Sequence, residues 1–287
     1  MTGLRAALIA LAVLGTVACG SAPPALRPPP NANLWLLGEV HDNPAVHARR
    51  LQSLQTLLDQ GARPALLMEQ FDRERQGQID TLLPTAQAPA PGRAPDDAAR
   101  QRTVNALVQL GGGAASGWQW DFYRPYLHLA LRYQLPLVAA NVSRSDARAL
   151  MAQGLAAQGF EAAVPADIGA AQAGQIERSH CGQINAAQAG RMASAQVGRD
   201  QFMARQVAAH AGRGVVLLAG NGHVRKDVGV PRWLPPALQA RTWVVGFVEA
   251  GQDDAGDGTA FDQTIPTPAA PRPDPCAAMR PAPVASR

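Results

Sequence analysis

The sequence is almost without lysine. Of its 26 basic residues, 25 are arginine and only Lys226 is lysine. The arginines are spread along all 287 residues, and no run of consecutive basic residues resembles a nucleic-acid-binding tract. A net charge of +4 without such a run is weak support for binding to phosphate backbones. We therefore expect no nucleic-acid partner.

Several catalytic motifs are also absent. There is no Gly-x-Ser-x-Gly elbow and no glycine-rich phosphate loop, which argues against a serine hydrolase and a nucleotide-binding protein. There is no His-Glu-x-x-His motif and no Cys-x-x-Cys pair, so any metal site would have to be assembled from separate parts of the chain. Chemistry must therefore come from residues that the fold brings together.

The N-terminus has the pattern of a targeting segment. Arg5 precedes an apolar run at residues 6–17, which is shorter than the ~20 residues that span a membrane. Cys19 follows directly and is the predicted lipidation site, although Thr16 departs from the usual lipobox pattern. Gly20 after the cysteine favours sorting to the outer membrane of a Gram-negative bacterium. The alternative is an ordinary signal peptide that is cleaved elsewhere.

The remaining sequence alternates short apolar runs with helical patterns, which predicts an α/β fold with a largely parallel sheet flanked by helices. An inserted, smaller all-helical subdomain is predicted where apolar residues are sparse. The predicted organisation is a signal peptide at 1–18, a lipidated Pro/Ala-rich tether at 19–32, an α/β domain at 33–142 and 213–250, a helical insertion at 143–212, and a mostly disordered tail at 251–287.

Polar residues follow four of the predicted strands. Parallel strands place such residues at one edge of the sheet, where ligands bind in open α/β folds. The strand ends are Glu39, Glu69, Asn141 and Asn221, and two Gly-x-x-His turns add His41 and His223.

These strand-end residues permit three interpretations. Glu39, His41, Glu69 and His223 could bind a divalent metal such as Zn²⁺ or Mn²⁺ and activate a water molecule. Without metal, Glu39 and His41 could act as an acid–base pair. The third possibility is that all of them serve only as caps and turn residues.

An aromatic patch lies in the middle of the chain. Five of the fourteen aromatic residues fall within nine positions, Trp118, Trp120, Phe122, Tyr123 and Tyr126. Such a patch would suit a porphyrin, with a tyrosine as ligand for Fe(III), but by composition alone ordinary core packing is the favoured explanation. Covalent attachment of haem is excluded because Cys-x-x-Cys-His does not occur.

If Cys19 carries lipid, Cys181 and Cys276 remain. In an oxidising compartment these two are expected to form a disulfide; the alternative is two unpaired thiols.

As an ordered set, the motifs resemble those of the ChaN-type haem-binding lipoproteins. They are Gly38-Glu39-Val40-His41-Asp42-Asn43-Pro44, Met68-Glu69-Gln70-Phe71-Asp72, Trp120 to Pro125, Ala139-Ala140-Asn141, His180-Cys181-Gly182, Ala195-Gln196 with Arg199-Asp200, and Gly220-Asn221-Gly222-His223.

The resemblance implies non-covalent haem binding in bacterial iron uptake, at the interface of a homodimer and with tyrosine ligation. Tyr123 is the candidate ligand, and His41, Asn141 and Arg199 are candidate contacts. An outer-membrane haem receptor is an implied partner.

The same turns also resemble a wider superfamily that includes Tiki-type metalloproteases and erythromycin esterases. That resemblance implies a metal-dependent peptidase or esterase as the alternative, with Glu39, His41, Glu69 and His223 as its metal or catalytic set.

Overall fold

The computed structural model describes residues 26–87, 97–251, 258–274, 276 and 277. The predicted signal peptide, Cys19 and the first half of the predicted tether lie outside these residues. The strands in the described part are β1 (Leu34–Leu37), β2 (Ala65–Asp72), β3 (Leu137–Asn141), β4 (Val215–Leu218), β5 (Thr242–Glu249) and β6 (Gln263–Thr267).

The described α-helices connect these strands. They are α1 (Pro44–Asp59), α2 (Gln76–Gln87), α3 (Asp97–Leu110), α4 (Trp120–Arg132), α5 (Arg144–Gln153), α6 (Ala166–Ser179), α7 (Ala186–His210), α8 (Asn221–Val224) and α9 (Pro236–Gln239). None of the helices in these residues is long and apolar enough to cross a membrane.

The strands form one sheet in the order β3-β2-β4-β1-β5-β6, and all five neighbouring pairs are parallel. This confirms the predicted α/β class. Because β1, β2 and β4 are adjacent and parallel, the residues that follow them meet at one edge of the sheet. The two Gly-x-x-His turns and the end of β2 are therefore neighbours, although 181 positions separate Glu39 from Gly220.

Each face of the sheet carries its own apolar core. On one face, Leu37, Leu66 and Leu218 pack with residues of α1, α3 and α4. On the other face, Leu36 and Leu217 pack with the C-terminal half of α7. Central parallel strands are buried on both sides, which explains why β1 and β4 read as continuous apolar runs.

Helices α5, α6 and α7 occupy the segment between β3 and β4. A separate apolar cluster joins them, with Leu150, Phe160, Ile168 and Val197 at its centre. The C-terminal half of α7 leaves this cluster and packs on the sheet. Helix α7 therefore connects this helical cluster rigidly to the sheet, because a single continuous helix is buried in both.

The prediction of a disordered tail is wrong for the described residues beyond 257. Strand β6 pairs with β5 along five residues. Arg272 then bonds to the Glu249 carboxylate at 2.6 Å and to Asp42 at 2.7 Å, in the turn that follows β1. The C-terminal segment thus crosses back to the same edge of the sheet and holds the turn that carries His41.

A disulfide joins Cys181 to Cys276, in agreement with the expected pairing. It connects the turn between α6 and α7 to the C-terminal segment, across 95 positions. We expect Cys276→Ser to lower the free energy of unfolding by about 4–5 kcal/mol in the chain-entropy model, because the unfolded chain loses a long closed loop. Denaturant titration measures this loss. Dithiothreitol should destabilise the wild type by a similar amount and leave Cys276→Ser unchanged; equal stability of the oxidised and reduced wild type would contradict the prediction.

Candidate functional site

Glu39 is the centre of a buried polar cluster beyond β1. Its Oε1 accepts hydrogen bonds from the Tyr123 hydroxyl and from Nδ1 of His41, both at 2.7 Å. Its Oε2 pairs with the Arg50 guanidinium, and Nδ1 of His47 lies 3.5 Å away. Both carboxylate oxygens are therefore occupied by the protein itself.

The charges in this cluster shift the pKa values of its members. Burial by itself raises the pKa of Glu39, but Arg50 and His41 outweigh it and lower the value to about 2. Burial lowers the pKa of His41, but the hydrogen bond to Glu39 and the charge of Glu69 raise it to about 9. Glu39 is thus a stable carboxylate, and His41 favours the imidazolium form at neutral pH.

Helix α1 supplies the counter-charge for Glu39. The helix begins sharply because the Asn43 side chain caps the backbone N–H groups of residues 45 and 46, with Pro44 at the first helical position. Arg50 then falls on the buried face, one turn from Val46 and one turn from Leu54, and it is fully buried. Sequence reasoning missed Arg50, although an arginine at an apolar position of a helix is a readable signal.

A second histidine–carboxylate pair lies beside the first. Nδ1 of His223 bonds to Oδ1 of Asp200 at 2.6 Å, and its Nε2 lies 3.6 Å from Oε1 of Glu69. Glu69 is itself held by the backbone N–H of Gly220 at 2.8 Å. Burial raises the pKa of Asp200 to about 6. Burial lowers the pKa of His223, but the neighbouring carboxylates raise it overall.

Asp200 belongs to the motif Arg199-Asp200 of the resemblance, but the sequence assigned it no role. It occupies a position of α7 that lies on one face with Val197, Ala204 and Val207, and it is fully buried. A carboxylate in an apolar stripe is costly unless it is paired, and here His223 is the partner. A carboxylate that orients an imidazole is an arrangement able to hold or move a proton.

The two histidines face a common cleft of about 630 Å³. We call it the histidine cleft, and its lining includes Glu39, Val40, His41, Gln172, Ile176, Gln196, Asn221, His223 and Arg225. His41 is the accessible one, since half of its side chain is exposed, compared with 12% for His223. The sequence therefore predicted a shared edge correctly and identified both of its histidines.

The predicted metal set is not supported by this geometry. Among the described residues, no three or more His, Cys, Asp or Glu side chains are grouped so that they could hold a metal ion. The reason is visible at Glu39, whose oxygens are already used by Arg50, Tyr123 and His41. Glu69, in turn, is bonded to the Gly220 backbone. The four predicted ligands are close together, but as two ion-paired groups.

Tyr123 is placed in the core rather than at a surface. It is fully buried, and its hydroxyl donates to Glu39. Burial and the Glu39 charge raise its pKa well above the usual value, which disfavours a phenolate. The other two tyrosines of the chain are also engaged, because Tyr126 donates to the His47 carbonyl and Tyr133 bonds to Asp59. Tyrosine ligation would require one of these hydroxyls to leave its partner.

The aromatic patch divides into buried and partly exposed rings. Trp120, Tyr123 and Tyr126 are buried core residues. Trp118 and Phe122 are partly exposed, with the Trp118 ring edge-on to His41 at 5.0 Å and Phe122 stacked on His47 at 4.5 Å. Of the two outer rings, Trp118 therefore borders the accessible His41, whereas Phe122 covers the buried His47.

Asn141 and Arg199 lie at a neighbouring cleft. This cleft has a volume of about 590 Å³, and we call it the arginine cleft because four arginines line it. Its lining includes Glu69, Gln70, Asp72, Arg75, Trp118, Asn141, Arg144, Arg148 and Arg199. The Asn141 amide donates to the Glu69 carbonyl, and its oxygen accepts from the Val142 N–H. Asn141 therefore shapes the end of β2, whereas Arg199 is available at the wall of the cleft.

Glycines allow the two turns to approach one another. A Cβ at Gly38 would lie 2.1 Å from Oδ1 of Asn221, so no larger residue fits without a shift. A Cβ at Gly220 would lie 3.1 Å from Cε1 and Nε2 of His41. A side chain at position 220 would therefore crowd the His41 ring.

The fold and site define an α/β protein with two histidine–carboxylate pairs at the carboxyl edge of a parallel sheet. The chain belongs to the ChaN family of haem-binding uptake proteins, within the Tiki superfamily. The model of this family matches residues 29–234. A sequence comparison with curated proteins finds no match.

One of the similar solved structures supports the fold. The chain resembles ChaN of Campylobacter jejuni, solved with cofacially bound haem, at 19% identity and a TM-score of 0.60, covering 78% of this chain and 84% of that one. It is more distantly similar to the type III effector HopBA1, at 14% identity and a TM-score of 0.41, covering 82% and 88%. An erythromycin esterase, EreC, has the same identity and score, covering 81% and 75%. The last two are too distant to bear on function.

The donor atoms of the site fit a haem through imidazole. Haem iron takes an axial ligand such as histidine or tyrosine. His41 has one nitrogen, Nδ1, fixed by Glu39 and a half-exposed ring whose other nitrogen, Nε2, has no hydrogen-bond partner among the described residues. A carboxylate bonded to one ring nitrogen commonly orients a histidine that ligates metal through the other. Tyr123 does not fit in this arrangement, because its oxygen is buried and bonded to Glu39.

Proposed function

We propose that this protein binds haem non-covalently, with His41 as the iron ligand. The observation that carries the proposal is the half-exposed His41 ring, oriented by Glu39, in a chain of a haem-binding family. Nδ1 of the ring is committed to the carboxylate, so Nε2 is the nitrogen for iron. The proposal replaces the tyrosine ligand implied by the sequence resemblance.

The surroundings of His41 suit a flat macrocycle. Trp118 lies edge-on against the imidazole, and Val40, which lines the histidine cleft with His41, adds partly exposed apolar surface. Apolar surface of this kind stabilises a porphyrin by removing it from water. A porphyrin held on one side by this surface leaves its other face exposed, which favours a second copy of the chain as the cover. We therefore also propose that haem lies at a homodimer interface.

The cellular setting is proposed from the N-terminal sequence. Lipid on Cys19 would anchor the protein to a membrane, and Gly20 favours the outer membrane. In that position the protein would hold haem during bacterial haem or iron uptake and pass it to or from an outer-membrane haem receptor.

Haemin titration of the mature protein tests the function. We expect a saturable Soret shift at micromolar haemin, and we expect His41→Ala to weaken binding by about 10- to 100-fold because the axial ligand is lost. His210→Ala, at the far end of α7, is the matched control and should bind as the wild type does. Absorbance spectroscopy and size-exclusion chromatography measure ligation and assembly together.

Tyr123→Phe separates the two possible ligands. It removes only the hydroxyl that donates to Glu39, so the Soret maximum of the haem complex should stay close to that of the wild type. A variant pattern in which Tyr123→Phe loses binding while His41→Ala keeps it would instead establish tyrosine ligation. No saturable shift in the wild type would disprove the proposed function.

A further inference from the structure

One wall of the arginine cleft carries polar side chains that take no part in the cluster around Glu39 and His41. Gln70 lies in the irregular part of β2, where the register with β3 shifts between Met68 and Asp72. Its side chain lines the cleft and is 3% exposed, yet neither its amide nitrogen nor its amide oxygen has a hydrogen-bond partner in the protein. Leaving a buried amide without partners is costly, which points to a polar ligand group in this cleft.

Arg199 presents a second unpartnered donor at the same wall. Its Nε atom is buried without a hydrogen-bond partner, and its Nη1 makes only a long contact of 3.4 Å to Gln196. A guanidinium with unused N–H groups matches the two oxygens of a carboxylate. Gln70 and Arg199 together therefore offer donors on one wall.

The charge of the cleft favours an anion. Arg75, Arg144 and Arg148 join Arg199 in the lining, and among the described residues none of the four forms an ion pair with a carboxylate. Arg144 donates to the Ser116 carbonyl and Arg75 to the Gln78 amide, which are neutral partners. Two carboxylates, Glu69 and Asp72, also line the cleft, so positive charge is in excess.

The cleft is continuous with the surroundings of His41. Trp118 lines the arginine cleft and packs against the His41 ring at 5.0 Å. Glu69 lines the cleft as well, and its charge acts on His41. A ligand whose flat apolar body covers Trp118 would therefore have its anionic groups near the arginines.

We propose that the arginine cleft binds the propionate carboxylates of the porphyrin, with Arg199, Arg148 and Gln70 as the recognising groups. The proposal rests on the proposed haem binding and specifies how the cargo is oriented and selected. The ligand class is a porphyrin that carries free carboxylates, and esterified porphyrins should be discriminated against.

Iron-free porphyrins test the proposal independently of iron ligation. Protoporphyrin IX and its dimethyl ester are titrated, in the same dilute detergent, into the wild type, Arg199→Gln and Arg148→Gln, with tryptophan fluorescence as the readout. We expect each substitution to weaken protoporphyrin IX binding about tenfold or more, since a charge-assisted bidentate contact is lost. The ester should bind all three proteins equally and more weakly. Arg191→Gln, an exposed arginine on the same helix as Arg199, is the control and should behave as the wild type.

Salt and stability measurements complete the experiment. Affinity of the wild type for protoporphyrin IX should fall as NaCl rises, because the contacts are ionic, and the ester should respond little. Thermal melts verify that each variant is folded; Arg148 is exposed, so its substitution keeps the test valid if Arg199→Gln is unstable. Equal binding of acid and ester, or unchanged binding in both arginine variants, would overturn the proposal. Haemin binding that depends on His41 but not on these arginines would overturn it while leaving the proposed function intact.

Discussion

Replacing Glu39 by glutamine is expected to lower the free energy of unfolding by about 3–5 kcal/mol, because it leaves a buried charge without its partner. Arg50 is fully buried and has Glu39 as its counter-charge. The glutamine can still accept from Tyr123, but its amide cannot balance the guanidinium. The cost therefore comes mainly from Arg50 and not from the lost hydrogen bonds.

Urea titration measures the free energy of unfolding of Glu39→Gln and of two comparison variants, and so tests whether the loss comes from the unpaired Arg50. Glu39→Gln/Arg50→Met should recover part of the lost stability, since the unpaired charge is then removed. Glu74→Gln, which removes an exposed ion pair of 3.5 Å with Arg73, should change stability by less than about 1 kcal/mol. If Glu39→Gln matched Glu74→Gln, the buried pair would not stabilise this site.

The ion pair between Glu39 and Arg50 also makes the stability of the wild type depend on pH in the acid range. The pKa of Glu39 falls from an ordinary 4.5 to about 2 in the folded protein. The stability contributed by its ionised form is therefore complete above pH 4.5 and is lost as the pH falls toward 2. The free energy of unfolding of the wild type should therefore fall between pH 4.5 and about 2. Circular dichroism measures the fraction of unfolded protein across this range.

Haem affinity is expected to rise about tenfold for each pH unit between pH 6 and 9, and then to level off. Iron needs the neutral imidazole, whereas Glu39 and Glu69 hold the His41 proton and raise its pKa from 6.5 to about 9. Binding must then release one proton. Between pH 6 and 8 the dissociation constant should fall by about 100-fold.

Titrations with His41→Gln separate this effect from the pH dependence of haemin itself. That variant has no titrating ring, so its weaker binding should vary much less over the same range. The His41 proton also stabilises the fold; this contribution is complete below pH 6.5 and is lost as the pH rises through 9, so folding is checked at each pH. A wild-type affinity that is flat from pH 6 to 9 would mean that His41 does not ligate iron.

Local patterns were enough to predict much of the fold. The apolar runs at β1 and β4 predicted buried parallel strands, and the repeated Gly-x-x-His turns predicted that His41 and His223 share an edge. Strand β6 escaped prediction because it pairs with only one neighbour, contains Pro266, and buries only alternate residues. Proline is tolerated at such an edge, so composition alone suggested a disordered segment.

The sequence by itself determined strands β1 to β5, the edge and the two histidines, because burial and turn chemistry are local properties of neighbouring residues. Only the tertiary structure decided how the charges pair. Arg50 and Asp200 are residues that local rules place in water, and each is buried because the fold packs its helix against a charged partner in another element, Glu39 after β1 or His223 after β4. Because Glu39 is paired in this way, its carboxylate oxygens are not available to a metal, and Tyr123 is buried with its hydroxyl bonded to Glu39. His41 is the member of the cluster whose side chain is half exposed. An ion pair between distant residues depends on distance in space, which the order of residues does not specify.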